Sequence, residues 1–231
     1  MASPEEMSKE KLDSECRKRN PTDSFILEFE SRVFDVLSWF SLFGVVRRLI
    51  PKRALTYAFV DAWVIANLVA SIVAIFLIGI AGPMAFLILL YGGFRVLETV
   101  IYQANVFIFD EYRAKRAGRD YRLRGYRRLV LLSMHNYIEL VFWFAVAYRY
   151  FHTEFAYDGA LRLHSKLGAI YFSLVTWATV GFGDIHPTTR VGAVLVISQI
   201  AIGVFMALVI LTRFISHLPR PATQDPDELG A

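Results

Sequence analysis

Cysteine is almost absent: Cys16 is the single one among 231 residues. One thiol excludes a disulfide within the chain and any cysteine-rich metal site, and leaves Cys16 to be read as a free reduced thiol. Histidines number five, and they do not fall at metal-ligand spacing with Asp or Glu. No cofactor is therefore expected. A secretory leader is not expected, because the first 24 residues are dense in charge and have no apolar centre. They are expected to form a poorly ordered cytoplasmic tail. Most telling is the absence of charge from two stretches. Residues 62–94, 33 in a row, and 191–212, a further 22, contain no Asp, Glu, Lys or Arg. Both exceed the ~18 apolar residues that mark a membrane helix. Helices of a water-exposed fold carry an apolar stripe with charge recurring every few residues, so runs of this kind exclude that fold.

What is there fits a bilayer. Hydropathy predicts spans at 57–80, 84–109, 129–150 and 189–213, each near the ~20 residues required. Gly82 and Pro83 separate the first two as a tight hairpin. Arg47, Arg48, Lys52 and Arg53 precede the first span, and eight basic residues fall within 113–128. Positive charge is retained in cytoplasmic loops, so both basic segments belong inside, residues 151–188 outside, and both termini in the cytoplasm. The expected location is a plasma or cell inner membrane. A net charge of +4 and a pI near 9.2 raise nucleic acid as a partner. The basic residues flank hydrophobic spans instead of covering a soluble module, so anionic lipid head groups at 113–128 are the expected partner and nucleic acid is not.

Glu28, Ser31, Asp35, Ser38, Ser41, Gly44 and Arg48 recur near the helical period. Residues 25–53 are thus expected to form an amphipathic helix lying on the inner membrane surface. A cytoplasmic helix packed in an oligomer is the other reading, and a crossing helix is the reading that a six-span, voltage-gated layout requires. That layout would leave the arginines at 47, 48 and 53 outside, against the positive-inside bias. Arg113, Arg116, Arg119 and Arg122 recur every third residue, but the positions between them are small, charged or polar. A helix sliding through lipid needs apolar residues there, so an interfacial linker is favoured.

Between the last two spans, Ser165 is a plausible N-cap for a helix of about 13 residues ending near Ala178, too short to cross a bilayer. Non-helical backbone at membrane depth is tolerated only where it is buried in protein or lines a wet path. Gly181 and Gly183 can adopt angles closed to other residues, which allows successive carbonyls to share one side. Thr179, Val180, Gly181, Phe182, Gly183 and Asp184, between a short helix and a full span, resemble the selectivity filter of potassium channels, and residues 129–214 resemble that family's pore domain. The resemblance implies an all-α membrane protein: outer helix, pore helix, filter and inner helix in a homotetramer, here preceded by two further transmembrane helices and the interfacial helix.

It further implies that the carbonyls of Thr179, Val180, Gly181 and Phe182, with the Thr179 hydroxyl, bind K⁺ as the permeant ion. Asp184 would brace the filter from behind. Phe182 replaces the family's more common tyrosine, and Val175 stands where some members have an acidic residue. Gly203 aligns with the inner-helix hinge glycine, close helix packing being the alternative. Ala207 and Leu211 become candidates for the cavity or gate.

Asn67, Glu98 and Glu139 lie 10 or 11 residues from the cytoplasmic ends of their spans, with Arg95 one turn farther out. Charge within lipid is costly, so a polar layer is expected, with Arg95 pairing to Glu98 or Glu139. It serves as a clamp or, alternatively, as a gating sensor. His152, His164 and His186 fall outside, and His186, two residues past Asp184, is a candidate for external pH modulation. Nonselective cation conduction remains a competing function. An intramembrane enzyme has no supporting Ser-His or His-Glu pattern, and a secondary transporter would show broken helices in two halves. A single filter excludes a two-pore layout for this sequence. Residues 215–231 are expected to form a short cytoplasmic tail.

Overall fold

The computed structural model describes residues 56–109 and 126–215, with the isolated positions 29, 32, 33 and 46. The expected tail at 1–24 with Cys16, all but those four positions of 25–53, the arginines of 113–122, and residues 216–231 lie outside the described residues.

Among the described residues, four helices are long and apolar enough to cross a membrane. Helix α1 is Tyr57–Leu77, capped where the Thr56 hydroxyl accepts the Phe59 amide at 3.4 Å. A turn leads to Gly82, whose φ of +50° suits a residue without a side chain, and Pro83 opens a 3-10 turn over Gly82–Met84. Helix α2, Ala85–Ala104, follows and ends in a π turn over Asn105–Phe109. Helix α3 is Tyr126–Tyr150. It starts three residues before the expected 129, so Arg127 and Arg128 sit on its first turn. The short helix α4 is Lys166–Trp177, and the last helix, α5, is Arg190–Ile215.

The described residues are almost entirely helical, with one feature that periodicity did not foretell. Strands β1 (Phe155–Tyr157) and β2 (Ile185–Pro187) pair antiparallel, with Ala156 opposite His186. Three-residue strands are too short to show an alternating pattern, so no sequence signal marks them.

Helix α3 is the central post. Half of its apolar window is buried against neighbours, whereas the other three spans bury between 22% and 28%. Both arms of the α1–α2 hairpin pack on α3 more than on each other. In lipid, apolar burial supplies little drive for association, so close packing through small residues and polar contacts must supply it. Ala74, Ala85, Ala145 and Ala169 accordingly gather around Trp143 where α1, α2, α3 and α4 meet. At Gly92 a Cβ would fall 2.5 Å from the Trp143 ring, so only glycine lets α2 approach this closely. A second, larger core joins Leu140, Phe144 and Tyr148 of α3 to Phe172 and Trp177 of α4, Ile185 of β2 and Met206 of α5. It seats α4 between α3 and α5. The faces left outward are apolar, as with Ile65, Val69, Val73 and Phe76 on α1, which suits a lipid surround.

Candidate functional site

Helix α4 has 12 residues, or about 18 Å at 1.5 Å each, and stops part way through a bilayer. The Ser165 hydroxyl accepts the Gly168 amide at 3.0 Å and donates to the Arg162 carbonyl at 2.7 Å. Gly168 is required for this entry turn, because a Cβ there would meet the Arg162 carbonyl oxygen at 2.1 Å. Past Trp177 the backbone inverts at every second residue: φ is +57° at Thr179, +57° at Gly181 and +80° at Gly183. In an extended strand successive carbonyls point to opposite sides. Inverting alternate residues rotates alternate peptide planes, so neighbouring carbonyls can face one way.

The positive φ of Thr179 is costly for a β-branched residue and is a real outlier. It is held by bonds back to α4. The amides of Ala178, Thr179 and Val180 donate to the carbonyls of Leu174, Thr176 and Val175 at 2.8, 3.1 and 3.0 Å, and the Thr179 hydroxyl donates to the Ala178 carbonyl at 2.7 Å. Among the described residues, no donor reaches the carbonyls of Thr179, Val180, Gly181, Phe182 or Gly183. The segment is exposed in the single chain, Val180 by 53% and Phe182 by 68%.

Around this loop the chain builds a support. Asp184 accepts a hydrogen bond from the Tyr171 hydroxyl of α4 at 2.9 Å, and its carbonyl accepts the Asp158 amide at 2.9 Å. The Phe182 ring lies parallel to that of Tyr171, with 6.5 Å between centroids and 3° between planes. The strand pair then anchors the exit of the loop to the end of α3. Within this outer segment the Tyr157 hydroxyl donates to the His152 carbonyl at 2.6 Å, and burial pushes its pKa up, so it remains a donor. His186 is exposed on β2, with Nδ1 3.7 Å from the Asp158 carboxylate.

Deeper in the bundle is a clasp that sequence reasoning missed. Gln199 of α5 is fully buried and donates to the carbonyl and hydroxyl of Ser173 at 2.9 and 3.0 Å. It also accepts the Tyr148 hydroxyl, and the Ser173 hydroxyl donates to the Val141 carbonyl at 2.7 Å. One glutamine thus ties α5 to both α4 and α3. A neutral polar residue inside an apolar run has many possible neighbours, so its partners were not legible beforehand.

On the same helix Gly203 is buried against Trp177, where a Cβ would lie 3.5 Å from the ring. The α5 helix runs unbroken through this point. Ala207 and Leu211 are exposed, and both line an open apolar groove with Met134 and Tyr137 of α3.

The intramembrane charges form a compact group. Arg95 is 4% exposed and meets Glu139 with two parallel bonds, Nε to Oε1 at 3.0 Å and Nη2 to Oε2 at 3.1 Å. Its Nη1 donates to Glu98, and Trp143 Nε1 donates to Glu139 at 3.0 Å. Asn67 is not in this group. It accepts the Tyr91 hydroxyl at 2.6 Å and donates to the Trp63 carbonyl at 2.8 Å. Tyr91 precedes Arg95 by one turn on α2, and its ring lies edge-on to that of Trp143 with 5.5 Å between centroids, so Asn67 adjoins the group through Tyr91.

These observations define a class, an integral membrane protein whose spans surround a half-membrane helix and a carbonyl-bearing loop. A family model described as "Ion channel" matches residues 137–219. Over 71 residues the chain is 35% identical to "Two-pore potassium channel 4" of Arabidopsis thaliana, a stretch covering 31% of this chain and 24% of that protein. The chain therefore spans about a quarter of the relative's length, and the likeness concerns one module of it. No solved structure matches. Over this module the chain is similar to ion channels, a potassium channel among them. Both likenesses are to channels and point away from an enzyme.

Proposed function

We propose that four copies of this chain surround a common axis and conduct K⁺ passively and selectively through the loop at 179–183. The observation that carries this is the alternating backbone at Thr179, Gly181 and Gly183, with free carbonyls, at the end of a half-membrane helix. Rings of such carbonyls replace the hydration shell of an ion of the right size. One chain supplies one quarter of each ring. The exposure of Val180 and Phe182 supports assembly, since large apolar side chains left open in the single chain are covered when neighbouring copies meet there. The carbonyl end of α4 carries partial negative charge and favours a cation below the filter. Ala207 and Leu211 would face the axis as the inner cavity or gate.

In this arrangement both termini are cytoplasmic. Arg127 and Arg128 mark that side at the start of α3, and Arg128 closes the foot of the bundle with Asp61 of α1 at 2.6 Å. Anionic lipid would meet the basic residues of 113–128. External protonation of His186 would add positive charge at the mouth and reduce K⁺ entry.

The test is K⁺ efflux from liposomes holding the purified protein. K⁺-loaded vesicles should release K⁺ with wild type and not with Gly183→Ala, because a Cβ at φ +80° is strained whatever the space. Equal K⁺ release from both proteins would contradict the assignment of the filter.

A further inference from the structure

Arg213 stands out at the inner end of α5. It ends a run of 22 uncharged residues, yet its side chain is buried, only 6% exposed. Its Nη1 donates to Gln103 Oε1 of α2 at 2.8 Å and to the Ser133 hydroxyl of α3. An arginine ending a span ordinarily extends its head to the interface, so turning inward onto two other helices is a specific arrangement.

The position of these partners gives the contact its meaning. Helices α2 and α3 are already locked together by the doubled bond between Arg95 and Glu139. They form a fixed frame. Helix α5 is held at its middle by Gln199 and at its inner end by Arg213. Between the two ties lie Ala207 and Leu211, both exposed and bordering the open groove beside α3. Beside Arg213 is a cavity of about 80 Å³, lined by Val64, Arg95, Thr99, Gln103, Ser133 and Arg213. That is room for a few waters, enough to solvate a guanidinium that leaves its partners.

We infer that Arg213 is a latch that holds the inner end of α5 outward against the α2–α3 frame and so favours the open pore. The peripheral hairpin is then a regulator of the gate, acting directly on the inner helix and not only through α3. This rests on the conduction proposed above, because outward placement of α5 widens a path only if α5 lines one. When the latch releases, the Leu211 face is free to move toward the axis, where apolar side chains close a pore by excluding water.

Single-channel recording of the full-length protein in planar bilayers tests this with two opposed variants. Gln103→Leu removes the acceptor and should lower open probability by roughly tenfold, the equivalent of one charged hydrogen bond. Gln103→Glu replaces the amide with a carboxylate and should raise open probability or lengthen openings. Conductance and reversal potential should stay at wild-type values in both. A general disturbance of folding would lower activity in both variants, so shifts in the same direction, or no shift, would overturn the latch.

A second measurement is independent of current. In a Cys16→Ser background, spin labels at Leu97→Cys and Ile215→Cys in chains diluted with unlabelled protein report the distance from α2 to the end of α5. Gln103→Leu should lengthen or broaden it, and an unchanged distance would overturn the latch. A distance change on Gln103→Leu, together with no K⁺ current from the wild-type protein, would instead remove the conduction reading.

Discussion

Glu139 is where the cost of a buried charge is most visible. Its two oxygens receive Nε and Nη2 of Arg95 and Nε1 of Trp143, so the carboxylate is satisfied by three donors without water. Removing one member of such a pair leaves the other charge in a poor solvent, at a cost of roughly 3–5 kcal/mol. Glu139→Gln is therefore expected to lower the thermal unfolding midpoint in detergent and to loosen the hairpin from α3. Unchanged assembly, stability and gating would contradict the clamp. A smaller effect belongs to Tyr171, whose hydroxyl reaches Asp184 at 2.9 Å beside the proposed filter. With Phe182 in place of tyrosine, this hydroxyl braces the loop from α4. Tyr171→Phe should cost about 1 kcal/mol of local stability and speed the decay of sustained current, with the reversal potential unchanged. Current traces that superimpose on wild type would refute the brace.

At the scale of elements, α4 and α5 share the clasp made by Gln199, Ser173 and Tyr148. Gln199→Leu leaves the Ser173 carbonyl and the Tyr148 hydroxyl to find other partners inside the bundle. The account expects reduced stability of the assembled protein and impaired recovery of conduction, while Gln199→Glu retains an acceptor for Tyr148 and is milder. Equal defects in the two variants, seen by thermal melts and recovery times, would argue against the clasp.

The spans themselves were legible in the sequence because long charge-free runs have one physical explanation. Their inner contacts were legible only in part. Arg95 and its two acids stood out because charge in lipid demands partners. Gln199 and Ser173 did not, since a neutral amide or hydroxyl in a span signals no particular neighbour. Arg213 was visible only as the end of a run, and its turn inward to Gln103 depends on how α2 and α5 dock. The two short strands carried no pattern at all. Asn67 shows what counting along helices leaves open: its partner is Tyr91, whose ring meets Trp143 beside Glu139, and no spacing named that neighbour.

For the whole molecule, the strained loop and the broad apolar face of α5, with Val194, Ile197, Val204, Leu208 and Leu211 exposed, are what the proposed assembly around an axis would cover. The central claim is that carbonyl oxygens from several chains substitute for the water around K⁺. Its most direct test is the reversal potential of the reconstituted wild-type protein with K⁺ on one side and Na⁺ on the other. Selective conduction predicts a reversal potential that follows the K⁺ gradient, moving by about 59 mV for each tenfold change in K⁺ ratio at 25 °C. A reversal potential near zero with equal concentrations of K⁺ and Na⁺ on opposite sides would contradict the account.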